Sequence, residues 1–140
     1  MQAQITALLR RLCREQGTSV LLVTHDMGVI AETADRVAVM YAGRIVEIGP
    51  VLDVLRRPGH PYTQGLMNAI PGLRQRAARL NQIDGAMPRL HAMPEGCAFH
   101  PRCAHAGPRC AQTRPPLAAS PTGATVSACW LHQGGVAHAA

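Results

Sequence analysis

The chain contains no lysine, and all 14 of its basic residues are arginine. This absence excludes a phosphate-binding loop of the G-x-x-x-x-G-K-[ST] type from these residues, and it excludes a lysine nucleophile or Schiff base. Aromatic residues are also scarce, at 3% of the sequence. So small a share argues against a surface on which the bases of single-stranded nucleic acid could stack.

Long apolar runs are missing as well. No stretch approaches the roughly 20 residues that a membrane-spanning helix needs, and we see no secretion signal at the N-terminus. We therefore expect a cytosolic setting, in which the five cysteines are reduced or metal-bound rather than paired as disulfides. With 140 residues, 47% of them hydrophobic, the chain can form one packed domain of ordinary size.

The net charge of +6 lies mainly in the second half of the chain. Residues 1–70 contain seven arginines and six acids, a net charge of +1, whereas residues 71–140 contain seven arginines and two acids, a net charge of +5. A basic half suggests an anionic partner, a membrane-proximal position or a bound anionic cofactor. Solubility alone is an equally good explanation of the charge.

The first 24 residues show one helix pattern and one strand pattern. Apolar residues at helical spacing from Ile5 to Leu12 predict an amphipathic helix over residues 2–16, and Gly17 is a suitable C-terminal stop. Residues 18–24 follow, with the unbroken apolar run Val20-Leu21-Leu22-Val23. Such a run is typical of a parallel strand that is buried on both faces.

A second helix and a hairpin are predicted next. Asp26 opens the helix, where its charge suits the helix dipole. Arg36–Tyr41 and Arg44–Ile48 both have strand patterns, and the two-residue turn Ala42-Gly43 between them predicts an antiparallel hairpin. A short helix over Val51–Arg56 completes this part of the chain.

The second half of the chain differs from the first in composition. Ten of the 11 prolines lie at or after Pro58. Residues 62–70 can form one more short helix, and the arginine-rich residues 73–80 another. Residues 84–140 contain few large apolar groups, so burial alone cannot offset the entropy of ordering them. We expect this segment either to be disordered or to be held together by its cysteines.

Four cysteines in the second half follow the spacing C-x5-C-x6-C-x18-C: Cys97, Cys103, Cys110 and Cys129. Four thiolates can hold a tetrahedral zinc ion or an iron–sulfur cluster. The spacing differs from the C-x2-C pairs of zinc ribbons, so the metal stays open, with free thiols or adventitious disulfides as alternatives. Cys13 lies in the first predicted helix, where a small buried side chain is expected.

The histidines near these cysteines are weaker candidates. His100 and His105 could replace a thiolate, as in some zinc and Rieske-type sites, although four cysteines already complete a site. We interpret His91, His132 and His138 as solvated surface residues. A bound metal would supply folding free energy that the small apolar content of this segment cannot.

His25 stands where the predicted buried strand ends and the second helix begins. In open α/β sheets ligands bind beyond the carboxyl ends of the strands, and a helix N-terminus favours anions. A histidine at this junction could bind a phosphate oxygen or hold a water molecule for attack on it. A histidine that serves only as part of a helix cap is an equally good interpretation of the local pattern.

Several stretches in order resemble the end of an ABC-transporter ATPase cassette of the oligopeptide/dipeptide importer subfamily. Within the cassette these stretches are Gln2–Ile5, Val23–Ala31 and Ala34–Glu47. The subfamily hallmark His-Pro-Tyr-Thr-x-Gly-Leu stands here as His60-Pro61-Tyr62-Thr63-Gln64-Gly65-Leu66, which we interpret as a rigid proline turn and a helix start. The cysteine-rich region follows, so the resemblance extends to about residue 132 and is specific.

The resemblance implies an α/β fold in which residues 1–58 are the C-terminal part of a P-loop NTPase-type cassette. That part comprises a helix, a parallel strand, a helix and an antiparallel hairpin. A connecting helical segment over residues 59–83 would lead to a loop-rich, Cys-ligated C-terminal region over 84–132, and a tail over 133–140 would be frayed.

The resemblance also implies functional residues and a cofactor set. His25 corresponds to the switch histidine that contacts the γ-phosphate of ATP, so it is both the catalytic and the nucleotide-binding candidate. Cys97, Cys103, Cys110 and Cys129 correspond to cysteines associated with a [4Fe–4S] cluster of structural or regulatory role, with zinc as the alternative. Arginines near these cysteines in sequence would compensate the negative charge of such a cluster: Arg102, Arg109 and Arg114.

The phosphate-binding loop, the Gln loop, the Leu-Ser-Gly-Gly signature and the Asp-Glu pair of the family do not occur in these residues. We therefore expect a C-terminal fragment that neither binds ATP well nor hydrolyses it alone. In the complete importer, ATP and Mg²⁺ would bind between two ATP-binding subunits on the cytoplasmic face of the inner membrane. The expected partners are two membrane-spanning permease subunits and, indirectly, an extracytoplasmic solute-binding protein.

A rival hypothesis is a small metal-stabilised basic module that contacts nucleic acid or protein. The charge of the second half and its Cys/His content favour this hypothesis. The missing lysines, the scarce aromatics and the buried-strand pattern of the first half oppose it. We therefore expect no nucleic-acid partner.

Overall fold

The computed structural model describes residues 2–70, 83–120 and 123–133. Within these ranges the helices are α1 (Gln2–Gln16), α2 (Met27–Thr33), α3 (Val51–Arg56), α4 (Pro61–Asn68) and α5 (Pro108–Gln112). The strands are β1 (Arg36–Tyr41), β2 (Arg44–Pro50), β3 (Ala118–Ala119) and β4 (Val126–Ser127), and 3₁₀ turns lie at His100–Arg102 and Trp130–His132. No helix in these ranges has the length and apolar character needed to cross a membrane.

The first predicted helix is confirmed as α1, and Gly17 follows it in the left-handed conformation with φ +64°. Its apolar face is not covered, because Ile5 and Leu8 remain about half exposed. The predicted second helix is also confirmed. Asp26 is the N-cap of α2, and its carboxylate accepts hydrogen bonds from the backbone N–H groups of Gly28 (2.9 Å) and Val29 (3.2 Å).

The prediction of a buried parallel strand over residues 18–24 is wrong for this structure. The segment forms no strand, and the side chains of Leu21 and Val23 are 93% and 89% exposed. An interior parallel strand needs a neighbour on each edge, and the described sheet is antiparallel and lies C-terminal to this segment. The apolar run Val20–Val23 is therefore left in solvent.

The predicted hairpin is confirmed as β1 and β2. Side chains of β1 alternate between the core and solvent, with Val37, Val39 and Tyr41 buried. Ala42 and Gly43 both have positive φ angles, 49° and 76°, as a two-residue turn between twisted strands requires.

The cysteine-rich half is attached to this hairpin by backbone pairing. The sheet order is β1-β2-β4-β3, and β4 pairs antiparallel with β2 so that Glu47 faces Ser127. A further bond joins the N–H of Ala128 to the carbonyl of Val46 (2.8 Å). The expectation was that this half is either disordered or held together by its cysteines. Strand pairing and packing, which that expectation did not include, also hold it.

Three of the four aromatic residues form one cluster in the core. The rings of Tyr41 and Tyr62 lie 4.6 Å apart, and Phe99 lies 5.2 Å from Tyr41 and 5.5 Å from Tyr62. Val54 of α3 is fully buried in the same core. The cluster joins the hairpin, α4 and the cysteine-rich half, so a sequence with few aromatics still builds one shared core.

Other helix predictions can be compared only in part. The short helices predicted over Val51–Arg56 and residues 62–70 are confirmed as α3 and α4. The possible helix over residues 73–80 and most of the predicted tail lie outside the described residues.

Candidate functional site

His25 lies in the bend that precedes α2, and its side chain is exposed. Around it, the Thr24 hydroxyl accepts a hydrogen bond from the backbone N–H of Asp26 (3.0 Å), and Asp26 caps the helix. The imidazole itself makes no hydrogen bond to the described residues. Asp26 and not His25 is therefore the N-cap of α2. The imidazole of His25 is available to bind a group outside the described residues.

The four cysteines Cys97, Cys103, Cys110 and Cys129 line a single cavity of about 360 Å³. Cys129 is buried and the other three are half-buried, and none of the four forms a disulfide. The fifth cysteine, Cys13, is in α1 and does not line this cavity. The tertiary structure therefore brings together the cysteines that the sequence analysis selected.

Three of these cysteines belong to one compact loop, residues 96–110. The N–H of Cys97 donates to the carbonyl of Cys110 (2.8 Å), and the N–H of His100 donates to the carbonyl of Cys97 (2.9 Å). The N–H of Cys103 donates in turn to the carbonyl of His100 (3.2 Å). Local backbone bonds thus hold three thiols on one loop, while Cys129 comes from a separate segment next to β4.

Burial disfavours the charged form of three of the cavity thiols. Burial raises the pKa of Cys97 and of Cys103, and it raises the pKa of Cys129 to about 11. The other cysteines of the cavity raise these values further, since neighbouring thiolates would repel one another. Metal binding would therefore have to release protons from these groups.

A ready-made metal site is not present among the described residues: no three His, Cys, Asp or Glu side chains converge closely enough to hold an ion. The donor chemistry nevertheless fits a thiolate-bound metal, since four free cysteines line one cavity. His100 and His105 line the same cavity, and a ring nitrogen of His100 lies 2.9 Å from the carbonyl oxygen of Cys97.

The three arginines expected near the cysteines have separate positions. Arg102 points away, since its guanidinium donates to the backbone carbonyls of Asp84 (2.8 Å) and Ile83 (3.1 Å). Arg114 lines a second cavity, beside the hairpin. Arg109 alone of the three lines the cysteine cavity, where it lies 3.5 Å from the ring centre of Trp130. Only Arg109 is therefore placed to compensate a charge in that cavity.

Two functional candidates escaped the sequence analysis. Glu47 is 0% exposed, and its carboxylate accepts hydrogen bonds from the backbone N–H groups of Gly59 (2.7 Å) and His60 (3.0 Å). His132 was expected to be a solvated surface residue, and this is wrong: it is half-buried, with Nε2 2.7 Å from the carbonyl oxygen of Gly59. The signal that identifies Glu47 is the complete burial of an acidic side chain. The spacing of residues in the sequence does not show that burial.

His60 is buried at the wall of the cysteine cavity. Its Nδ1 accepts a hydrogen bond from the N–H of Tyr62 (3.0 Å), which caps α4 and requires an unprotonated Nδ1. Burial, with a smaller contribution from His132, lowers the pKa of His60 to about 4, against a small opposing effect of a backbone bond to Ala128. The ring is therefore neutral at physiological pH.

We expect this histidine to make the chain less stable in mild acid. Above pH 6.5 His60 is neutral in both the folded and the unfolded chain, so its titration contributes nothing. Between pH 6.5 and about 4 the unfolded chain binds a proton that the folded chain excludes, and up to about 3 kcal/mol of folding free energy is lost. Urea unfolding at a series of pH values measures this loss.

The matched control is His60→Asn, which keeps a capping acceptor but does not titrate. Its stability should decline less between pH 6.5 and 4 than that of the unmodified chain, since the contribution of His60 is absent. Parallel pH profiles for the two proteins would contradict the assignment.

Comparison with known proteins gives one family and several close relatives. Residues 46–110 match the family described as oligopeptide/dipeptide transporter, C-terminal region. The segment extends from β2 through the hallmark stretch to Cys110, so it includes three of the four cavity cysteines.

Three of the similar proteins are named for peptide transport in Bacillus subtilis and Salmonella typhimurium. The chain is 44% identical to the oligopeptide transport ATP-binding protein AppD of Bacillus subtilis over 95% of the chain, and 43% identical to the dipeptide transport ATP-binding protein DppD of the same organism over 99%. It is 48% identical to the oligopeptide transport ATP-binding protein OppD of Salmonella typhimurium over 85% of the chain. The matched part is 40%, 41% and 35% of those relatives, so the chain spans about two fifths of their length or less.

Proposed function

Because the chain belongs to the family of oligopeptide/dipeptide transporter ATP-binding proteins, we propose that it forms the C-terminal part of an ATP-binding subunit of an ABC importer. The transported solutes are di- or oligopeptides or related small molecules. The observation that carries this proposal is an identity of 43–48% to peptide-transport ATP-binding proteins along 85–99% of the chain. ATP hydrolysis in the complete subunit would drive transport.

His25 is the residue that we assign to nucleotide chemistry. Its exposed imidazole follows an exposed apolar segment and precedes a capped helix, and it has no hydrogen-bond partner within the described residues. Such a group can bind the γ-phosphate of ATP and stabilise charge that develops on the phosphoryl oxygens. Mg²⁺ and the other phosphate contacts would come from cassette segments that these residues do not include.

The exposed run Val20–Val23 supports the assignment to a larger cassette. A row of large apolar side chains and unpaired backbone groups in solvent favours pairing with further strands. We propose that the complete subunit acts at the cytoplasmic face of the inner membrane with a second ATP-binding subunit and two permease subunits. A solute-binding protein would act with them indirectly from the other side.

We propose that the cysteine cavity holds a [4Fe–4S] cluster, with zinc as the alternative. Cys97, Cys103, Cys110 and Cys129 would be the ligands, and Arg109 would compensate part of the negative charge. When bound, the metal would link the loop 96–110 to the segment after β4 and so brace this region, without taking part in ATP hydrolysis. The donor set of four free cysteines around one cavity supports this proposal, and metal binding would require the thiols to lose their protons.

A chimera tests the importer proposal. The C-terminal part of Bacillus subtilis DppD that matches this chain is replaced by residues 2–140, and the gene is expressed in a strain without that subunit. We expect dipeptide uptake to be restored, because the two segments are 43% identical over 139 residues. A chimera that assembles with its partners but supports no uptake would contradict the proposal.

These relatives do not support the rival hypothesis of a small metal-stabilised module that contacts nucleic acid or protein, since the names of all three refer to peptide transport. Binding of nucleic acid with a steep salt dependence would be needed to revive it.

A further inference from the structure

Glu47 is a buried carboxylate without a cationic partner. It is 0% exposed and makes no ion pair among the described residues, yet each of its two oxygens accepts one backbone N–H, from Gly59 and from His60. Burying a carboxylate is costly unless hydrogen bonds compensate it. Because burial of this carboxylate is costly, we expect Glu47 in β2 to have a specific role.

The bond from Gly59 to Glu47 belongs to a closed ring of contacts that contains one cavity cysteine. Glu47 faces Ser127 in the β2–β4 pairing, and Cys129 follows two residues later. The carbonyl of Cys129 accepts the N–H of His132 (3.3 Å), the His132 ring bonds the carbonyl of Gly59 (2.7 Å), and the N–H of Gly59 returns to Glu47. We call these five residues the Glu47 ring.

The centre of the Glu47 ring is tightly closed. A Cβ atom on Gly59 would lie 3.3 Å from Oε1 of Glu47, 3.5 Å from Oγ of Ser127 and 3.6 Å from Nε2 of His132. The Ser127 hydroxyl is buried there and has no hydrogen-bond partner within the described residues. Polar atoms from three separate segments therefore converge on one small space beside the turn at residue 59.

The ring explains how the fourth thiol reaches the other three. Cys97, Cys103 and Cys110 are held by backbone bonds within their own loop, and among the described residues no backbone–backbone bond joins this loop to the segment of Cys129. The two parts touch through side chains, since Arg109 of the loop lies 3.5 Å from the ring centre of Trp130. Cys129 is instead held from the opposite side, by strand pairing and by the His132–Gly59–Glu47 bonds. The four-thiol cavity is thus assembled from the loop 96–110 and a separate segment, which strand pairing and the Glu47 ring hold on its far side.

We propose that Glu47 is a positioning residue for the metal site: through the Glu47 ring it places Cys129 so that a three-thiol loop becomes a four-thiol site. This inference rests on the proposed metal site, and it concerns a residue that does not touch the metal. In Glu47→Gln an amide N–H₂ would replace one acceptor and would face a backbone N–H, so one buried donor would lose its partner. The bonds that locate Cys129 would then loosen.

Co²⁺ is the probe, because its thiolate complexes absorb strongly and the intensity reports the number of thiolate ligands. We expect the unmodified 140-residue chain to bind Co²⁺ with a four-thiolate spectrum and Cys129→Ser to show a three-thiolate spectrum. Glu47→Gln should resemble Cys129→Ser in its spectrum and should bind about 10–100-fold more weakly than the unmodified chain.

The double variant Glu47→Gln with Cys129→Ser separates positioning from general destabilisation. If Glu47 acts through Cys129, the double variant should bind Co²⁺ as Cys129→Ser alone does, so the two effects are not additive. Additive losses would overturn the inference. Val54→Ala is the matched control, since it weakens the shared core without touching the ring, and it should keep the four-thiolate spectrum.

A second variant covers the case in which Glu47→Gln does not fold. His132→Phe opens the same ring from the other side without disturbing the buried carboxylate, and it should also give the three-thiolate spectrum. A four-thiolate spectrum in a folded Glu47→Gln or His132→Phe protein would overturn the inference. Failure of the unmodified chain to bind Co²⁺ would instead contradict the metal site itself.

Discussion

His25→Ala is expected to lower ATP turnover by the assembled chimeric importer at least about 100-fold, with loss of peptide uptake. The imidazole would stabilise charge on the γ-phosphoryl group, so its removal should reduce kcat more than nucleotide binding. ATP hydrolysis by the purified complex in lipid measures the effect. Binding of ATP in the absence of turnover shows whether the nucleotide site remains intact.

The matched control for this result is His91→Ala. His91 is also exposed, and it lies in a turn of the cysteine-rich half that lines neither of the two cavities described above. This variant should hydrolyse ATP at the rate of the unmodified chimera. If His25→Ala assembles normally and retains most of its turnover, the assignment of His25 is wrong.

Gly96→Ala is expected to destabilise the chain by about 3–5 kcal/mol and to abolish metal binding. Gly96 has φ +68°, and a Cβ there would overlap the carbonyl oxygen of Cys110 and lie 2.8 Å from the carbonyl carbon of Ala111. The backbone would have to move at the point where the N–H of Cys97 bonds Cys110. The relative position of two proposed ligands would therefore change.

Gly43→Ala separates this overlap from the cost of a left-handed backbone. Gly43 has φ +76°, close to that of Gly96, but no atom lies within 4 Å of the position that its Cβ would take. We expect Gly43→Ala to cost only about 1–2 kcal/mol in urea unfolding. Equal losses of unfolding free energy in Gly96→Ala and Gly43→Ala would contradict the prediction that steric overlap at Gly96 adds to the cost.

Elements defined by neighbouring residues could be predicted from the sequence. The helix over residues 2–16, its end at Gly17 and the turn at Ala42-Gly43 depend on local spacing and on backbone preferences of single residues. The strand over residues 18–24 could not be predicted in the same way. A parallel strand forms only where other strands lie beside it, and no described strand does.

The residues of the candidate site also fall into two groups, those that the sequence indicated and those that only the tertiary structure revealed. The sequence indicated Cys97, Cys103, Cys110 and Cys129 as a set, and the structure places them around one cavity. It did not indicate Glu47, because the bonds of Glu47 reach residues 12 and 13 positions away and are visible only after the chain turns back at residue 59.

The sequence by itself determined helices α1 to α4, the hairpin, the cysteine set and the family, because these depend on residue type and order. Only the tertiary structure decided that Arg109 and not Arg102 or Arg114 lines the cysteine cavity, and that His132 is bonded to Gly59 rather than solvated. His132 and Gly59 are 73 residues apart in the chain. Contacts of that kind depend on how β4 pairs with β2 and how the aromatic cluster packs, and no local pattern encodes them.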